Sequence, residues 1–143
     1  MHRAKSLARV TPSPRFGLIE IRRLHGHEQI RPSLLAELTE RIREDGVLKR
    51  PVLVADRVLV ILDGHHRLEA LRKLGCTRIP AYLVDYDSDL VKLSTWPDAE
   101  VKVVTKEEVI RRGLTGDRFP PKTTRHTLAV PIQERPVRLE DLR

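Results

Sequence analysis

The stretch Val58–Cys76, VLVILDGHHRLEALRKLGC, decides how the chain is read. Five apolar residues, Val58–Leu62, run into Asp63-Gly64, then His65-His66-Arg67, then Leu68, Leu71 and Leu74 at helical spacing. An apolar run that short, closed by Asp-Gly, predicts a buried strand. The 3–4 spacing after it predicts a helix that Gly75 stops and Asp63 caps. At such a junction the first helical N–H groups lack intrahelical partners, and the helix dipole adds positive potential. An anion is welcome there. Gly64 offers backbone without a Cβ, and His65, His66 and Arg67 add donors, Arg67 as a two-point grip. The stretch reads as a phosphate seat. Asp63 repels phosphate, so it serves as cap, as orienter of a histidine, or as a Mg²⁺ ligand between protein and phosphates.

Outward from that stretch, GLIEIRRLHGH (17–27) reads as a strand and RPSLLAELTERIREDG (31–46) as a helix. Pro32 suits its first turn, Leu34, Leu35, Leu38 and Ile42 share a face, and Gly46 closes it. PVLVADRVLVIL (51–62) splits into two strands at Asp56-Arg57, a hairpin. Ile79–Val84 is a strand, Trp96-Pro97 a turn, and Val101–Val104 a further strand. Thr105 and Glu108 have capping-box spacing for a helix ending at Gly113. The Pro-rich remainder reads as loop with a short terminal element. Strands and helices without a regular βαβ alternation predict an α+β fold, its mixed sheet covered on one side. Residues 1–16 read as a loose basic arm and 17–143 as one domain.

Bulk properties narrow the function. A chain of 143 residues can bury one core, and with aromatics at only 3 % that core rests on Leu, Ile and Val. Few aromatics also argue against a base-stacking platform for single strands. The lone cysteine, Cys76, excludes an intrachain disulfide and fits a reducing compartment. No apolar run approaches the roughly 20 residues of a membrane span, and the basic start lacks a signal-peptide core. The expectation is a cytoplasmic protein with no membrane partner. A net charge of +7 fits an anionic partner, nucleotide or nucleic acid, or simply a solvated basic surface. His25 and His27 would face one side of a strand and so form a candidate pair for zinc or iron, whereas His65 and His66 point about 100° apart on a helix.

These words in this order resemble the ParB N-terminal and sulfiredoxin-like superfamily, from Leu18 to Tyr86. Sulfiredoxins carry a reactive cysteine in the phosphate motif; here DGHHR has none. Partition proteins of the ParB type carry a helical DNA-binding domain downstream; none is legible here. The free-serine kinases resemble the chain more fully. They pair a His-Glu near the end of the first strand, here His27-Glu28, with DGHHR, a Trp segment, here Trp96, and KTTRH, here Lys122–His126. The resemblance implies phosphorylation of free L-serine to O-phospho-L-serine with Mg²⁺, ADP being favoured over ATP as donor. It implies Glu28 and Asp63 as catalytic residues, with Asp63 on the metal. Gly64, His65, His66, Arg67, Lys122, Thr123 and Arg125 would bind nucleotide phosphate. Trp96, Thr124 and His126 would bind substrate. The competing reading is a ParB-like regulator that binds or hydrolyses nucleotide and binds nucleic acid; the missing DNA-binding domain makes nucleic acid the weaker partner. Oligomeric state, and whether the phosphoserine feeds cysteine biosynthesis, are not legible.

Overall fold

The computed structural model describes residues 13–143. The chain runs β1 (Arg15–Glu20), a 3₁₀ turn (Ile21–Arg23), α1 (Pro32–Asp45), β2 (Val47–Leu48), β3 (Val52–Ala55) and β4 (Ile61–Asp63). It continues through α2 (His65–Lys73), β5 (Arg78–Val84), β6 (Val91–Thr95), α3 (Lys106–Thr115), β7 (Thr124–Leu128), β8 (Val137–Arg138) and a closing 3₁₀ turn (Leu139–Leu142). A four-stranded mixed sheet has the order β1-β5-β3-β4: β3 and β5 are parallel, and the outer pairings are antiparallel. β6 pairs with β7, and β2 with β8, in two antiparallel ribbons.

The expected stop signals act as read in α1 and α2. Gly46 (φ 72°) and Gly75 (φ 80°) take the left-handed conformation that stops each helix, a region glycine enters without a Cβ penalty. The hairpin turns at Asp56-Arg57, where Arg57 takes φ 73° and Asp56 Oδ1 accepts its N–H. Strand β5 adds one residue, Arg78, to the expected span.

The sheet is covered on both faces, not on one. All four residues of β3 are buried: Val52 and Val54 pack with α1 and α2, while Leu53 and Ala55 pack with Val91, Val109 and Phe119. Period-two alternation sends neighbouring side chains to opposite faces, so a continuous apolar strand needs two covers. The second cover comes from α3, where a helix was expected, and from the β6–β7 ribbon, where turn and loop were.

Other boundaries move for local reasons. β1 begins at Arg15, because Arg15 and Phe16 register against Leu83 and Tyr82, and Phe16 meets the Tyr82 ring edge-on at 5.7 Å. The rest of the expected arm, residues 1–12, lies outside the described residues. Beyond Glu20 the strand coils into the 3₁₀ turn. Val101–Val104 forms no strand, and Val103 is largely exposed. α3 starts as expected, with Thr105 Oγ1 accepting the Glu108 N–H at 3.1 Å. Its Glu108 carboxylate turns to Arg112 rather than back to the cap, and the helix ends at Gly116, not Gly113. Gly113 is interior because a Cβ there would stand 2.8 Å from Val60. No helix among the described residues is long and apolar enough to cross a membrane.

Candidate active site

The chain between β1 and α1 is threaded between two neighbours. His25 exchanges backbone hydrogen bonds with Leu59 and Ile61 beside β4, and two residues later His27 O and Gln29 N bond to the backbone of Phe119. That threading turns the side chain of Glu28 toward the start of β7. Glu28 Oε1 accepts the Lys122 N–H at 3.2 Å, and Oε2 accepts the Thr124 N–H at 2.6 Å. Thr124 Oγ1 lies 2.5 Å from the same Oε2. Burial raises the Glu28 carboxyl above its ordinary value, and the bonds from Thr124 and Lys122 pull it back.

The other wall is the β4–α2 junction. Gly64 stands at the helix N-cap with φ 112°, and no side chain caps the helix. The first amides of α2 are therefore left to whatever lies in front of them. What lies there is a cavity of about 420 Å³, lined by Glu28, Asp63–Arg67, Trp96, Lys122 and Thr124–Thr127 together with Leu38 and Leu62. The seat and the carboxylate face one space.

Within it, several expected roles change. Asp63 does not cap α2; its side chain is 62 % exposed at the cavity mouth, 3.4 Å from Arg67. Nor does it orient a histidine, since both motif histidines find backbone partners. His65 Nε2 accepts from the His27 N–H at 3.1 Å, and His66 Nε2 accepts from the Arg31 N–H at 2.9 Å. Each ring thus uses Nε2 as an acceptor, and a neutral ring then carries its hydrogen on Nδ1. Arg67 does not offer a free fork: one amino group donates to the carbonyls of Arg50 and Pro51 at 2.9 and 2.7 Å, the other faces Asp63. Gly64 is demanded by packing rather than by an approaching phosphate, because a Cβ would lie 2.4 Å from Val52 Cγ1.

The KTTRH segment divides. Lys122 and Arg125 are exposed and line the cavity, with Arg125 stacked 4.6 Å above the Trp96 ring. Trp96 is held by its indole N–H, which donates to Thr124 O at 3.0 Å. Thr123 turns away, buried, its hydroxyl donating to Pro120 O at 2.7 Å. His126 lines the cavity with Nε2 2.8 Å from Tyr86 Oη, and burial lowers its pKa to about 3.

His25 and His27 do not form a metal pair. His27 is fully buried and His25 exposed, and no group of three potential ligands converges among the described residues. His27 instead packs against the rings of His65 (4.6 Å) and His126 (5.8 Å). Burial, above all, lowers His27 to about 4 and His65 well below the ordinary imidazole value, so both rings favour the neutral form. The sequence reading missed the ribbon wall itself and the buried partnership of His27 with Thr124. The alternation of Val91, Leu93 and Thr95, matched by Thr124, His126 and Leu128, was the available signal for the ribbon.

A mixed sheet presents to one cavity an uncapped helix N-terminus and two cations without an ion-pair partner among the described residues, the chemistry an anion-binding α+β domain would need. The chain belongs to the ParB N-terminal domain family, whose profile matches residues 16–94. It is 39 % identical over 104 residues, 68 % of its length, to an ATP-dependent L-serine kinase of Staphylothermus marinus, and 38 % identical over 57 % of its length to an ADP-dependent L-serine kinase of Thermococcus kodakarensis. These alignments span only 41 % and 35 % of the two relatives. A solved free serine kinase in complex with AMP has the same fold, with a TM-score of 0.80 at 22 % identity over 94 % of this chain and 97 % of that one.

Proposed function

We propose that the chain transfers a phosphoryl group from ADP or ATP to the hydroxyl of free L-serine, giving O-phospho-L-serine. The observation that carries the reading is that the Glu28 carboxylate and the uncapped start of α2 line one cavity. At about 420 Å³ it falls in the range of small-molecule sites, roughly 300–1,000 Å³. The L-serine kinases among the relatives support the choice of acceptor.

Phosphoryl transfer asks for positioning and charge neutralisation more than covalent help. In this reading the nucleotide phosphates sit on the amides at the start of α2, with the Nδ1–H groups of His65 and His66 and the cations Lys122 and Arg125 around them. Asp63, an exposed carboxylate that lines the same cavity, would hold a Mg²⁺ ion beside those phosphates. The ion, when bound, offsets the negative charge of the transferring group. Glu28 takes the serine hydroxyl proton as the oxygen attacks phosphorus. Trp96 and His126 flank the amino acid. Thr123 and Arg67 serve the walls and not the ligand.

The test is the full chain with L-serine and Mg²⁺, given ADP in one arm and ATP in the other, with products read by ³¹P NMR. The reading expects phosphoserine together with AMP from ADP or ADP from ATP, and the two arms decide the donor. No phosphoserine from either nucleotide, alongside salt-sensitive binding to duplex DNA, would put the nucleic-acid regulator in its place.

A further inference from the structure

The buried side of Glu28 holds more chemistry than a base alone requires. Glu28 Oε2 is 2.5 Å from Thr124 Oγ1, and that oxygen is 2.8 Å from His27 Nε2. Each gap needs a hydrogen in it. On the far side of the ring, His27 Nδ1 lies 2.9 Å from the carbonyl oxygen of Ile61. A carbonyl oxygen only accepts, so Nδ1 carries a hydrogen. A neutral His27 then has a bare Nε2, which accepts the Thr124 hydroxyl. Thr124 has one hydrogen to give, so the hydrogen in the Glu28–Thr124 gap belongs to Glu28. The other filling moves everything one step. Thr124 donates to a Glu28 carboxylate, and His27, as imidazolium, donates to Thr124. Both fillings contain the same number of hydrogens.

We infer that Thr124 and His27 form a hydroxyl relay that draws the proton off Glu28, so that the carboxylate is bare when the substrate hydroxyl arrives. This rests on the serine-kinase reading above. The Oε2–H bond of Glu28 breaks as Thr124 Oγ1 takes that proton; Thr124 releases its own, and His27 Nε2 binds it. At transfer, the substrate O–H bond breaks toward Glu28 and the substrate oxygen bonds phosphorus. The bond from phosphorus to the nucleotide's bridging oxygen breaks, and one proton leaves Glu28 for water through the cavity. Thr124 and His27 are positioning residues here, since both act through Glu28.

The surroundings set where the proton rests. Burial raises the Glu28 carboxyl and lowers the His27 imidazole to about 4, so the resting proton stays on Glu28 and His27 holds it only while the substrate hydroxyl is in place. The groups facing His27 are the rings of His65, His126 and Phe119 and the charge of Arg118; those facing Glu28 are the amides of Lys122 and Thr124.

Nitrogen-15 spectra of the His27 ring in the unliganded full chain test the relay whatever the enzyme phosphorylates. The expected result is a hydrogen on Nδ1, with Nε2 either bare or protonated in an imidazolium. A neutral ring with its hydrogen on Nε2 overturns the inference. In the kinetic arm, Thr124→Val removes the hydroxyl and keeps the backbone N–H. It is expected to lower kcat about 10–100-fold with little change in the KM for serine, while the acid limb of the kcat profile moves to higher pH. Thr124→Ser is expected to recover most of that loss. A Thr124→Val protein with unchanged kcat and pH profile overturns the relay. A wild-type chain that makes no phosphoserine overturns the proposed function instead, and the nitrogen spectra then decide the relay alone.

Discussion

The two walls of the cavity are built by opposite means. The β4–α2 wall is rigid and spends its polar groups on itself: His65 and His66 accept backbone amides, Arg67 is pinned to two carbonyls, and Gly64 presses on Val52. The ribbon wall opposite holds its cations free, with Lys122 exposed and Arg125 laid over Trp96. The DGHHR motif thus commits many of its polar atoms to the fold, while the stretch expected to be loop carries the exposed cations Lys122 and Arg125. Density of polar residues in a motif is therefore a poor guide to which of them stay uncommitted.

The change with the largest expected effect cuts the residue that both walls aim. Glu28→Gln lowers phosphoserine formation by about 10²–10⁴, the usual worth of a positioned base, while calorimetric titration still shows nucleotide binding. Gly64→Ala attacks the rigid wall. Its Cβ meets Val52 in a backbone region that L residues avoid, so urea denaturation shows a loss of about 2–4 kcal/mol. The buried histidines between the walls are acid-sensitive. His27 and His126 have folded pKa values depressed to about 4 and about 3, so the unfolded chain binds more protons below its ordinary imidazole value near 6.5. Stability is full above that pH and falls as pH drops toward 4, which a series of thermal melts from pH 7.5 to 4 reads directly. Lys122→Met probes the ribbon wall. Losing a charge-assisted contact costs about 1.5–3 kcal/mol, a tenfold or greater rise in nucleotide Kd, with the melting temperature unmoved. If Lys122→Met lowers stability and leaves affinity alone, the contrast between the walls fails. The smallest effect lies outside both: Thr105→Ala removes the α3 cap for about 1 kcal/mol.

Local signals were legible and tertiary ones were not. Pro32, the leucine stripe and Gly46 announce α1 because each acts within a few residues of itself. The hairpin before DGHHR and the helix after it are legible for the same reason. The β6–β7 ribbon was not. Val91–Thr95 and Thr124–Leu128 are short and polar on alternate positions, and become strands only by pairing with each other across roughly thirty residues. The site splits along the same line. That Glu28 and DGHHR belong together was legible from the resemblance. Which donors are already committed was not, because the carbonyls of Arg50 and Pro51 that occupy Arg67, and the Pro120 carbonyl that occupies Thr123, are backbone groups that look alike in every sequence.

Glu28 is aimed by main-chain amides, those of Lys122 and Thr124. Every amino acid except proline supplies such an amide. The aim of the carboxylate is thus insulated from side-chain change at position 122. A proline arriving at either place would disarm the proposed base without touching one of its reactive atoms.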